Sequence, residues 1–189
     1  MKDLEHLLAF INETEGLKSV LRTAWTASGR QESTAEHTWR LTLLVGLAAD
    51  YVSVDREKAM MMSLIHDIGE IYNGDISAAS LPDPAQKQSD EERDARRIFS
   101  LLPKSQQERL TALWKEYNEN TTPEAKLVKA LDKAETILQH CQGKNPPDFD
   151  YDFNLNYGKT YFEDDPFLME LRSLLDHKTL ERMEQQEGN

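Results

Sequence analysis

The sequence predicts an all-α protein, and three observations predict it. Apolar residues recur at steps of three and four along most of the chain. Helix start and stop signals punctuate those stretches, most plainly Thr121-Thr122-Pro123-Glu124. No segment carries a run of alternating β-branched residues, and no internal repeat is visible. At 189 residues, 39% hydrophobic and 30% charged, the chain suits one domain with a real core.

The elements follow in order. Leu4, Leu7, Leu8 and Ile11 form a helical stripe over Asp3 to Glu13, with His6 off the stripe and solvated, and Gly16 as a stop. After Leu17 to Trp25 and a polar turn through Gly29, Ser33 or Thr34 caps a second helix with Glu36 in its first turn. There His37, Leu41, Leu44 and Ala48 share one face, so His37 heads an apolar stripe and points inward. A central helix from about Arg56 to Asp67 is apolar almost all round, which predicts burial, and its Met60-Met61-Met62 run reads as core filling. Asn73-Gly74 signals a turn, and residues 76 to 88, with Leu81-Pro82-Asp83-Pro84, read as a loop. Helices over Asp90 to Leu102 and from Pro103 to about Asn120 read as support that need not touch a site. Thr122-Pro123-Glu124 opens a helix to about His140 that buries Leu127, Val128, Leu131, Ala134 and Leu138, with Asp132 at the stripe's edge. Residues 148 to 165 are acidic and aromatic without a clear period, and a last helix runs from Pro166 to near Met183.

Net charge is −12, which argues against polymeric nucleic acid, where Lys and Arg contacts to phosphate supply most of the affinity. A small phosphorylated ligand needs only a local cation and stays open. Cys141 is the only cysteine, so no internal disulfide can form. No basic-then-apolar leader and no run of eighteen apolar residues occurs, so a cytoplasmic protein without a membrane partner is expected.

The chemistry concentrates in Ser63-Leu-Ile-His66-Asp67-Ile-Gly-Glu70-Ile-Tyr-Asn-Gly-Asp75. An apolar helix that carries a histidine and an aspartate inward loses free energy unless they are paired or bind a metal. His37, His66, Asp67 and Asp132 are the candidate ligands, a mixed nitrogen and oxygen set suited to a divalent metal. Each has a plainer reading: a packed core histidine, a solvated helix-end Asp67, or a salt bridge from Asp132 to Lys129 or Lys133.

Glu36-His37, His66-Asp67 and Asp132 within Leu127-Val-Lys-Ala-Leu-Asp-Lys-Ala-Glu135 resemble the H…HD…D pattern of the HD-domain metal-dependent phosphohydrolases. His66-Asp67-x-x-Glu70-x-x-x-Gly74-Asp75, preceded by Leu17-Lys-x-x-x-Arg22-Thr-x-Trp25, is similar to the 5′-deoxynucleotidase branch. The likeness runs from about 17 to 140, leaving 141–189 as a C-terminal helical extension of a single domain spanning 1–189. It implies an HD-domain helical bundle and a homodimer that releases phosphate from deoxyribonucleoside 5′-monophosphates by attack of a metal-bound water.

The resemblance also implies roles. His37, His66, Asp67 and Asp132 hold the metal. Glu70 is the acid/base carboxylate, Arg22 holds the phosphate, Trp25 borders the nucleotide, and Asp75 contacts the sugar 3′-hydroxyl and disfavours ribose. One departure is that Thr23 and Ala24 separate Arg22 from Trp25, which are adjacent in some bacterial members. Simple chemistry agrees: a guanidinium is a planar fork for phosphate, and a carboxylate beside a metal can orient water or move a proton. The plainer readings remain for these residues too. Glu70 could cap a turn, Asp75 could be a turn residue after Asn73-Gly74, and Arg22 could pair with any surface acid.

Dinuclear members use extra histidines after the His-Asp pair. None occurs between His66 and His140, so one metal per chain is expected, with His140 and His177 solvated. Mn²⁺, Co²⁺, Fe²⁺, Mg²⁺ and Zn²⁺ all accept such ligands. Rival readings are another small phosphomonoester or a cyclic or polyphosphorylated nucleotide as substrate, and a nucleotide-binding protein without catalysis. Trp114, Tyr117 and the aromatic stretch 149–162 are the expected dimer contacts.

Overall fold

The computed structural model describes residues 2–76 and 83–187. Among them the chain forms α1 (Lys2–Thr14), α2 (Thr34–Ala48), α3 (Arg56–Ile65), α4 (Pro84–Phe99), α5 (Lys104–Glu119), α6 (Pro123–Gln142), α7 (Asp152–Asn156) and α8 (Pro166–Glu187). Short 3-10 turns cover Glu15–Lys18, Ile68–Ile71 and Lys159–Phe162. The all-α expectation holds with one addition. β1 (Leu21–Trp25) and β2 (Gln31–Ser33) pair as an antiparallel hairpin whose register pairs Leu21 with Ser33.

The helices begin where side chains can satisfy their first free N–H groups. Ser33 and Glu36 form a reciprocal capping box on α2. Asp55 accepts from Lys58 N at α3, Asp83 accepts from Ala85 N at α4, and Thr122 accepts from Ala125 N at α6, with Pro123 in the first turn. Asn120 ends α5 with φ 52°, a left-handed stop, and Gly74 has φ 80° in the turn signalled by Asn73-Gly74. Helix α4 starts at Pro84, earlier than the expected Asp90; Leu81 and Pro82 of the expected loop lie outside the described residues.

Helix α6 is the axis of the molecule, packed against α2, α3, α5 and α8. Its Val128, Leu131, Ala134 and Ile137 meet Leu41 and Val45 of α2, Ala59 and Met62 of α3, and Leu175 of α8 in one core. A second core joins Phe10, Ile65, Ile68, Ile98, Phe99, Leu110 and Trp114.

Two expectations about burial change. Helix α3 is not buried all round, since Leu64 is 45% exposed and Met60 and Met61 are half-buried. The stripe Leu4, Leu7, Leu8 and Ile11 faces outward at 40–60% exposure. Helix α1 instead docks through Phe10, whose ring stacks on Phe99 at 6.4 Å between centroids. The outward face of α2 is likewise apolar: Trp39, Leu43 and Leu47, four residues apart, are all exposed.

Candidate active site

His37 sits in the first turns of α2, and His66 follows the last residue of α3. His66 donates from Nδ1 to Ser63 O (2.8 Å), and its own carbonyl accepts from Trp114 Nε1 (3.0 Å). His37 donates from Nδ1 to the Glu135 carboxylate. Each imidazole therefore has one nitrogen fixed by a partner, and that partner aims the other. The two Nε2 atoms face a common space, with ring centroids 5.4 Å apart. Both are buried without a hydrogen-bond partner.

The carboxylates reach that same space. Asp132 Oδ1 lies 3.2 Å from His37 Nε2 and 3.8 Å from His66 Nε2. Asp67 Oδ2 lies 2.9 Å from His66 Nε2 and 3.8 Å from His37 Nε2. The other oxygen of Asp132 accepts from Tyr117 Oη (3.1 Å) and Lys133 Nζ (3.0 Å), which leaves Oδ1 turned toward the imidazoles. Two orphaned imidazole nitrogens and two carboxylate oxygens at these separations fit a divalent cation, and His37, His66 and Asp132 form a ligand cluster.

A second cluster, Glu32, His37 and Glu135, shares His37 but is already neutralised. Arg22 Nη1 donates to Glu32 (2.9 Å) and lies 3.8 Å from Glu135, and His37 Nδ1 donates a hydrogen bond to Glu135.

The electrostatics point the same way. Burial pushes the His37 imidazole down, and Arg22 adds to that, yet Glu135 and Asp132 outweigh both and lift it to about 9. Without a cation in their midst, the acids draw a proton onto the histidine. Burial works against the charge of Asp67, but neighbouring His66 more than compensates and holds it at about 2. Burial also opposes the charge of Asp132, and Lys133 and His37 pull it well below the usual carboxylate range.

Glu70 lies in the Ile68–Ile71 turn, buried, and accepts from Thr34 Oγ1 (3.2 Å). Burial raises its pKa strongly, with Asp67 and Asp75 adding to the effect and Arg22 opposing it. A carboxyl whose pKa burial raises beside a cluster of acids keeps its proton more readily than a free one and is able to give it up. That turn packs tightly on α4: a Cβ at Gly69 would sit 2.6 Å from Glu91 O, so close approach, and not only the end of a helix, requires glycine there.

Arg22 and Asp75 flank the cluster. Arg22 is carried inward by the alternation of β1 and donates from Nη2 to Thr136 of α6 (3.0 Å), while its Nε lies 3.9 Å from Asp75 Oδ2. Burial opposes the charge of Arg22, and Glu135 and Glu32 overcompensate, so it stays protonated. Beside both residues opens a cavity of about 300 Å³ whose wall includes Trp25, His140 and Phe149. All eight site residues read from the sequence are thus in one region: four around the common space, Glu70 behind it, and Arg22, Asp75 and Trp25 at the cavity.

Several expectations need correction. Trp114 and Tyr117 are buried inside the chain, where they hold His66 and Asp132, so they are not dimer contacts; α5 does touch the site. Within 149–162, Tyr151 and Phe162 are buried, and Phe149, Phe153 and Tyr157 line the cavity. His140 is buried, not solvated, because Asn154 Oδ1 accepts from its Nδ1 (2.7 Å) and Phe149 packs edge-on to its ring. His177 is exposed, as expected. Glu135, Thr136, Glu32 and Tyr117 were absent from the expected site. Glu135 and Thr136 had a signal: Asp132, Glu135, Thr136, Gln139 and His140 recur at helical spacing, a polar line on a helix that also carries Lys126, Lys129 and Lys133.

Residues 14–170 match the family model of the HD domain. Proteins of Danio rerio and Homo sapiens named 5′-deoxynucleotidase HDDC2 are each 34% identical, over 138 and 135 residues. The matches cover 72% and 70% of this chain and 68% and 66% of theirs. The 5′-deoxynucleotidase hdd1 of Schizosaccharomyces pombe is 31% identical over 145 residues, with 70% of each chain covered. The chain thus spans about two thirds of the length of these relatives. A crystal structure from Magnetospirillum magnetotacticum, described as a predicted metal-dependent phosphohydrolase, superposes with a TM-score of 0.83 at 27% identity over 96% of this chain and 97% of that one. Matched over most of its length by the family model and sharing the fold of that phosphohydrolase, the chain belongs to the HD-domain family.

Proposed function

We propose that the protein is a metal-dependent 5′-deoxynucleotidase that releases phosphate from deoxyribonucleoside 5′-monophosphates. The observation that carries this reading is the pair of buried, unpartnered Nε2 atoms of His37 and His66 between two carboxylates, beside the Arg22 guanidinium, in a chain similar to proteins named 5′-deoxynucleotidases. His37, His66, Asp67 and Asp132 would hold one divalent metal per chain. Such an ion, when bound, lowers the pKa of water and offsets charge on the phosphoryl oxygens.

The remaining work belongs to the chain. Arg22, protonated and anchored by Glu32 and Thr136, offers its remaining N–H groups to the phosphate. Glu70, whose pKa burial raises, gives its proton to the leaving 5′-oxygen. Asp75 accepts from the sugar 3′-hydroxyl and crowds the 2′ position, and Trp25 borders the nucleotide. The domain spans 1–189. Its single cysteine suits the reducing cytoplasm. The chain pairs as a homodimer, supported by the apolar outward face of α2, because a helix that is apolar on both sides calls for cover on both sides.

Phosphate release from a panel of nucleotides against Mn²⁺, Co²⁺, Fe²⁺, Mg²⁺ and Zn²⁺ tests the reading. The expected result is turnover of dAMP at least about tenfold above AMP, the worth of one differential contact, and none after chelation. Equal turnover of dAMP and AMP would refute the deoxy preference.

A further inference from the structure

The two walls of the cavity beside Arg22 come from parts of the chain that the metal cluster does not use. One wall is β1, ending in Trp25; the other is the segment 146–157, which brings Phe149 and Phe153. The floor is α6, through Thr136 and His140. The rings of Trp25 and Phe149 stand nearly perpendicular, 86° apart with centroids at 5.9 Å. They form a corner in which a flat group can stack on one ring and meet the edge of the other. The corner is rigid. Gln139 Nε2 donates to Trp25 O (2.6 Å), and Lys144 N donates to Thr26 O (3.0 Å), which ties β1 to the end of α6. Phe149 is held from behind by His140 (4.9 Å) and Tyr151 (4.9 Å).

The charges say what kind of group belongs there. Arg22 is the only cation among the described lining residues, and it stands on the side of the metal cluster. The exposed Asp148 and Asp150 also line the cavity and disfavour a second anion. A volume of about 300 Å³ is at the small end of ligand pockets, enough for one flat ring system. With phosphate at Arg22 and a sugar hydroxyl at Asp75, the third part of the ligand faces this corner.

We propose that the cavity receives the nucleobase, with Trp25 and Phe149 as its aromatic corner, and that residues 146–157 determine how strongly the protein prefers nucleotides to base-free sugar phosphates. This deepens the deoxynucleotidase reading and rests on it. Stacking is tolerant of base identity, so all four bases gain from the corner.

The test compares dAMP with 2-deoxyribose 5-phosphate on the full-length, metal-replete protein, together with binding of deoxyadenosine by calorimetry. For the wild type, kcat/KM for dAMP exceeds that for the sugar phosphate by about ten- to a hundredfold, the usual worth of one stacked base. Phe149→Ala brings that ratio close to one, through KM more than kcat, and loses deoxyadenosine binding. Phe149→Leu keeps apolar volume and loses the ring, so it gives most of the same effect on a protein whose fold is checked by circular dichroism. Equal loss on both substrates would make Phe149 structural and overturn the proposal, as would a wild type that turns both over alike. If neither substrate is hydrolysed but deoxyadenosine binds the wild type and not Phe149→Ala, the base site stands and the phosphatase reading falls. Absence of both activity and binding overturns both.

Discussion

His37 and Glu135 are joined through Nδ1, and this contact decides which nitrogen of His37 faces the carboxylates of Asp67 and Asp132. A histidine without that partner could present either nitrogen, or rotate. Glu135→Gln keeps the shape and loses the charge. It should weaken divalent-metal affinity by about 10- to 100-fold, the usual cost of removing an outer partner of a ligating histidine. Calorimetric titration of the metal checks this, and an unchanged affinity would remove Glu135 from the site.

Substitution of Glu70 should separate chemistry from metal binding. Glu70→Gln should lower kcat by about 10²- to 10⁴-fold, the range for loss of a positioned acid or base. Metal affinity should stay within a few-fold, since Glu70 lies outside the ligand cluster. Parallel loss of metal would instead make Glu70 a ligand.

Gly143 ends α6 where it meets the hairpin, and a Cβ there would overlap Trp25 O and crowd Gln139 O. Gly143→Ala should therefore displace β1, costing ~1–3 kcal/mol as overpacking does, and should raise KM by moving Arg22 and Trp25. A melting curve and steady-state kinetics read both effects; a variant with normal stability and KM would contradict this joint.

The Arg30–Glu36 pair predicts a mild acid dependence of stability. Hydrogen bonds from Arg30 hold the Glu36 carboxyl down at about 2, below its usual range. A depressed carboxylate contributes stability above its unfolded pKa of about 4.5, and that contribution is lost as pH falls toward 2. Glu36→Gln preserves the capping box, so it isolates the charge. The variant should be less stable at pH 7 by no more than ~1 kcal/mol, as for exposed pairs, and equal to wild type near pH 2. Denaturant titrations at both pH values test the sign.

The outward stripe of α2 predicts assembly. Light scattering should give about twice the 21.7 kDa chain mass. Trp39→Glu with Leu43→Glu should yield the monomer, because charges in an apolar contact are not tolerated. A monomeric wild type would refute the homodimer.

Much of this architecture was legible in the sequence because the signals were local. Thr122-Pro123 and Ser33 with Glu36 mark helix starts through hydrogen bonds made within four residues. The histidines and aspartates were legible because polar groups at the head or end of apolar helices stand out. What escaped depends on distant partners. The hairpin joins five residues to three, too short for alternation to show, and β1 packs on α6, a partner more than a hundred residues away in the chain. The direction of the α1 stripe could not be read because periodicity defines a face without saying what lies against it. His140 looked solvated because Asn154, which buries it, is fourteen residues on in an aperiodic stretch.

Helix α6 carries Asp132 to the metal cluster, Thr136 to Arg22 and His140 to the aromatic cavity, one turn apart each time. At about 1.5 Å per residue, the first and last of these stations are separated by roughly 12 Å of rigid helix. On the proposed reading, that helix would work as a ruler, and a substrate would be judged by its length: a molecule that could not reach from one station to the last would forfeit one of its holds, and one that overshot would leave its reacting end out of register.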